Sequence, residues 1–128
     1  MRIWSLPDGE AQHNLGSLGG PVLDVAISPD SSLLVTVGEG AEIPGLIQIW
    51  NMQSGELVDA WEGHDGSIER AAISPDGELL ATAGTDGVAR LWRLDSGEPV
   101  ATLRDHGAPV NGVNFSPDGR WLGTAGAD

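Results

Sequence analysis

The chain has 128 residues, with six Arg, no Lys and 19 Asp plus Glu, for a net charge of −13. That balance repels phosphate backbones and anionic lipid heads, which argues against nucleic acid and membrane surfaces as partners. Cysteine is absent, which excludes disulfides and thiolate metal sites, and no apolar stretch reaches the ~18 residues of a membrane span.

In chain order the first predicted strand covers residues 2–6 and carries Trp4, and a weak outer strand follows over 13–18, where alternation is poor. The opening MRIWSLPDGE has no apolar h-region, so the expected location is the cytoplasm. A cleaner series follows: inner strand 22–28, second strand 32–38, third strand 46–52 with Trp50, outer strand 57–62. The same four recur over 68–74, 78–84, 88–94 with Trp92, and 99–104, and the chain closes on an inner strand 110–116 and a second strand 120–126. Inner strands hold near-continuous apolar runs such as Ala71-Ala72-Ile73, the pattern expected where both faces are buried. Asn114 interrupts one such run and is expected to need a partner, such as a channel water. His13 is expected to be an exposed strand residue, and the acidic turns between strands are expected to be solvated surface.

The tripeptide Ser-Pro-Asp begins at Ser28, Ser74 and Ser116, at intervals of 46 and 42 residues, and Trp4, Trp50 and Trp92 recur at the same two intervals. Periods of this size signal solenoids, propellers or arrays, and four short strands per period fit a propeller blade. The expected fold is therefore all-β, with three blades' worth of four-stranded antiparallel sheet.

The spaced elements EGH at 62–64, SPDG at 74–77, TDG at 85–87 and RLW at 90–92 resemble the tryptophan-aspartate (WD) repeat family of β-propellers, over essentially the whole chain. The terminal WD dipeptide itself is missing, since Ser5, Asn51 and Arg93 follow the three tryptophans. The resemblance implies a hydrogen-bonded network of His64, Thr82, Asp86 and Trp92. A buried imidazole and a buried indole N–H each need partners, so such a network holds strand register rather than performing chemistry. In the first full repeat the His position is Leu18 and the Asp position falls in the insertion GEGAEIPGL, which leaves Thr36 and Trp50 and shifts that blade toward apolar packing. The last repeat has His106, Thr124 and Asp128 but no following Trp, and Trp4 is the partner it lacks.

Residues 1–18 thus read as the third and outer strands of a split blade, 19–64 and 65–106 as full repeats, and 107–128 as the inner and second strands of the split blade. Three blades alone are too few to close. Head-to-tail association closes a ring instead, with six blades from two chains or nine from three. The trimer is preferred over the dimer because Ala81, Ala83, Gly84, Gly123, Ala125 and Gly126 permit close blade spacing. The expected function is a non-enzymatic interaction scaffold whose partners are itself and a basic protein or peptide. The alternatives are a fragment of a larger WD-repeat regulator, or an enzyme with a site at the channel mouth. Thr, His and Asp together have the composition of a nucleophilic triad, but Thr82 lies mid-strand with no exposed elbow or Gly-rich oxyanion turn, so no catalytic residue is assigned. His64 and His106 belong to different repeats and His13 stands at another repeat position, so the three are far apart and neither a metal site nor a cofactor is expected.

Overall fold

The computed structural model describes residues 1–15 and 19–128, so Leu18 and the end of the first outer strand lie outside the described residues. The described residues form twelve strands: β1 Arg2–Trp4, β2 Ala11–Asn14, β3 Val22–Ile27, β4 Leu33–Gly38, β5 Gly45–Asn51, β6 Leu57–His64, β7 Ile68–Ile73, β8 Leu79–Gly84, β9 Ala89–Arg93, β10 Pro99–Leu103, β11 Val110–Phe115 and β12 Leu122–Gly126. They make two complete antiparallel sheets, β3-β4-β5-β6 and β7-β8-β9-β10, flanked by two-stranded sheets β1-β2 and β11-β12.

The Ser-Pro-Asp turns explain why inner and second strands pair in the same register three times. Ser28 Oγ donates to Asp30 Oδ1 at 2.6 Å and accepts the Leu33 N–H at 2.9 Å. Ser74 repeats this with Asp76 and Leu79, and Ser116 with Asp118 and Trp121. Each Asp also accepts a backbone N–H two residues on, closing an Asx turn. These carboxylates are solvent-exposed yet bonded, and the Ser28 and Ser32 donors hold Asp30 down at about 2. The turn also demands a left-handed residue: Gly77 and Gly119 supply it at φ 76° and 72°, and Ser31 adopts it at 63°. Further along, all three inner strands carry a register shift near their start, at Val22/Asp24, Ile68/Arg70 and Val110/Gly112.

The sheets stack face to face in chain order. The main core lies between the two complete sheets and is built from Val35, Val37, Ile47 and Ile49 on one side and Ile68, Leu80, Trp92 and Leu94 on the other. A smaller cluster of Leu15, Leu34 and Trp50 joins β1-β2 to the first complete sheet, and Ala83, Ala89 and Val110 join the second to β11-β12. Blade to blade, the core is mostly aliphatic, as interdigitating sheet faces require.

Three expectations need correction. The strands buried on both faces are the second ones, β4 and β8, because each lies inside its own sheet and between neighbouring sheets. The inner strand β3 instead alternates, with Leu23, Val25 and Ile27 exposed, because among the described residues β1-β2 packs on that face over Leu34 and Trp50 but not over these three. Asn114 is exposed and needs no buried partner. His13 is partly buried rather than exposed: its ring lies against the Gly55 turn and its Nε2 is 3.0 Å from the Gln53 carbonyl.

Candidate functional site

The joint between the two complete sheets brings four polar side chains into one chain of hydrogen bonds. His64 ends β6, Thr82 is central in β8, Asp86 sits in the β8–β9 turn and Trp92 is in β9. The Trp92 indole N–H donates to Thr82 Oγ1 at 3.0 Å, and the same hydroxyl lies 2.8 Å from His64 Nε2. The other ring nitrogen, His64 Nδ1, is 2.9 Å from Asp86 Oδ1. Gly84 makes room for this imidazole, since a Cβ there would fall 2.6 Å from His64 Nδ1.

Arg90 is a fifth member that motif reading overlooked. Its guanidinium donates to Asp86 Oδ2 at 2.9 Å and to the Gly63 carbonyl at 2.7 Å, tying the third strand to the preceding outer strand. The signal was present in the chain, because Arg stands two residues before Trp in both Arg2-Ile3-Trp4 and Arg90-Leu91-Trp92. Burial pushes the His64 imidazole below its ordinary value, with Asp86 opposing that shift. Burial raises the Asp86 carboxyl, but hydrogen bonds and charge from His64 and Arg90 outweigh it and leave it below the ordinary range.

The first complete sheet has a reduced version. Trp50 donates to Thr36 Oγ1 at 3.0 Å, and the Thr36 hydroxyl faces Gln48 Oε1 at 3.5 Å. Gln48 occupies the repeat position of Arg90, and on this face of the sheet Trp50 packs against Leu15 and Leu34.

At the far end, His106 Nδ1 lies 2.9 Å from Asp128 Oδ1 and His106 Nε2 lies 2.8 Å from Thr124 Oγ1, the same geometry as His64 with Asp86 and Thr82. Hydrogen bonds from His106 and Gly107 hold the Asp128 carboxyl below its usual range. Trp4 is not brought to Thr124 within the chain: β1 pairs with β2, β12 pairs with β11, and Trp4 is 53% exposed.

Chemically, the network at Thr82 is closed rather than reactive. Thr82 is fully buried and its hydroxyl is engaged on both sides, so no external substrate reaches it. Among the described residues, no three His, Asp or Glu side chains gather as a metal site, and no helix is long and apolar enough to cross a membrane. What the molecule does offer is sheet edge and sheet face. The WD40 family (WD domain, G-beta repeat) matches the chain over residues 9–51, 55–93 and 97–128. The first two windows end just after Trp50 and Trp92, and the third stops without a Trp strand. No curated protein matches the chain at a significant level.

Proposed function

The chain belongs to the WD-repeat family, whose blades are protein-interaction scaffolds, and from that premise we propose that it completes a propeller by associating with copies of itself. Residues 1–18 and 107–128 are read as two halves of one blade type. The observation that carries the reading is the pair of complementary half-sheets. β11-β12 carries His106, Thr124 and Asp128 with no indole donating to Thr124, and β1-β2 holds an exposed indole without a Thr.

An open edge strand and a bare apolar face are liabilities that association removes. Head-to-tail association uses two different surfaces and closes only when the rotation per copy divides a full turn. Three copies give nine blades at about 40° per blade, and two give six at about 60°. The small faces at Ala81, Ala83, Gly123 and Ala125 favour the shallower angle and hence three copies. The completed ring is a non-enzymatic scaffold, and its acidity selects a basic protein or peptide as ligand.

Light scattering on the purified chain tests this, with one species at three times 13.3 kDa expected. Deleting residues 1–6 removes β1 and is expected to abolish that species. A truncated chain that keeps the full assembly overturns the reading, as does a wild-type chain that is single at every concentration. Heterogeneous aggregates support a fragment whose remaining blades lie elsewhere in a longer polypeptide.

A further inference from the structure

The contact between the two complete sheets is a finished joint, and it serves as a template for the unfinished one. In the finished joint, Leu33, Val35 and Val37 of β4 meet Ile73, Leu80 and Leu94 of the next sheet. Advancing by repeat position, Leu33, Val35 and Val37 become Trp121, Gly123 and Ala125. The facing positions in the first complete sheet are Ile27, Leu34 and Met52.

Those last three line an apolar cavity of about 350 Å³ between β1 and β3, together with Met1, Ile3 and Val25. The lining is apolar, and the space has room for a large side chain. Trp121 is 72% exposed at the other end of the chain. Relative to the finished joint, a larger residue replaces Leu33 and a glycine replaces Val35. That exchange roughly conserves volume, which is the kind of swap sheet cores tolerate.

Charge agrees with shape. Arg2 holds the repeat position of Arg90, and Asp128 that of Asp86, whose ion pair spans 2.9 Å. On a chain of charge −13, a cation placed opposite a carboxylate at the same joint sets orientation.

We propose that a second copy of this chain adds its β12 to β1, seats its Trp121 in this cavity, and receives Arg2 on its Asp128. The register follows Leu80 opposite Trp92, which places Leu122 of the incoming copy opposite Trp4. The proposal rests on the self-association reading above and adds the side chains that make the joint. The two ends of the chain are then non-interchangeable surfaces, one with a protruding indole and one with a socket.

The test compares wild type with Trp121→Ala, Trp121→Leu and Ile27→Arg by sedimentation over a dilution series. Trp121→Ala is expected to raise the dissociation concentration at least about 30-fold, as for a buried aromatic anchor. Trp121→Leu is expected to raise it less, since Leu33 and Leu79 hold the equivalent positions. Ile27→Arg, on the socket side, is expected to match or exceed the Ala effect. Circular dichroism checks that each variant folds, and if the Trp121 variants do not, Ile27→Arg decides. A wild-type chain that never associates overturns this proposal and the self-association reading together. A wild-type assembly that survives Trp121→Ala or Ile27→Arg at the same dilution overturns the seat alone and assigns the cavity another occupant.

Discussion

The Trp92 indole N–H donates to the Thr82 hydroxyl over 3.0 Å, in a sheet where Thr82 has no exposure to solvent. Having accepted from Trp92, the hydroxyl has its own proton to give, and the acceptor at 2.8 Å is His64 Nε2. That assigns the His64 proton to Nδ1, from which it is donated to Asp86. The order of donation is therefore Trp92 to Thr82 to His64 to Asp86, with Arg90 donating to the same carboxylate.

Breaking this chain at its centre strands two buried groups. Thr82→Val keeps the shape but leaves the Trp92 N–H and His64 Nε2 without partners, and is expected to destabilise the fold by about 1–3 kcal/mol. His64→Ala is expected to fall in the same range. Thr124→Val in the free chain is expected to cost less than about 0.5 kcal/mol, because it lies at an open edge and accepts from no indole. Urea midpoints at constant m value check all three.

Stability is expected to decline with falling pH in two stages. The folded His64 imidazole takes a proton less readily than its ordinary value of 6.5, so its contribution is full above 6.5 and is lost as pH falls through the lower folded value. Asp86 and the turn carboxylates Asp30, Asp76 and Asp118 lie below their ordinary 3.8, so their contributions persist to that point and are lost beneath it. Melting temperature measured across pH separates the stages, and His64→Gln is expected to remove the decline that begins near 6.5.

Ser31 sits where Gly77 and Gly119 sit in the other two Ser-Pro-Asp turns, at φ 63°. The left-handed conformation costs an L-residue about 1–2 kcal/mol, whereas glycine gives back about 0.4–1 kcal/mol through the unfolded chain. Ser31→Gly is therefore expected to stabilise the protein by about 0.5–1 kcal/mol, read as a higher urea midpoint.

Assembly is expected to tighten with moderate salt. Like charges on chains of −13 repel over a Debye length of about 8 Å at physiological ionic strength, and salt screens that repulsion more than a close pair such as the one proposed between Arg2 and Asp128. Sedimentation across a salt series near the dissociation concentration checks this. Dissociation by added salt instead assigns the joint mainly to ion pairs.

Much of the blade was legible because its cues are local. Ser-Pro-Asp at Ser28, Ser74 and Ser116 and the spaced tryptophans marked where strands begin and end, and the strand bounds fall close to those cues. Burial was less legible. Val25 and Ile27 read as apolar core, yet exposure depends on whether another sheet lies over β3, which no run of residues encodes. Arg90 went unassigned for a related reason, since an Arg on a strand reads as solvated until the turn bearing Asp86 folds against it.

What the chain determined by itself was the repeat, the four-strand unit and the residue types that can satisfy a buried indole, because turn chemistry and hydrogen-bonding capacity belong to single residues and short spacings. What only the tertiary structure decided was which faces meet. It set Trp92 beside Thr82, left Trp4 and Trp121 at opposite open ends, and opened a cavity beside Ile27. Packing between sheets is a property of pairs of surfaces, and each surface gains its meaning from the one placed against it.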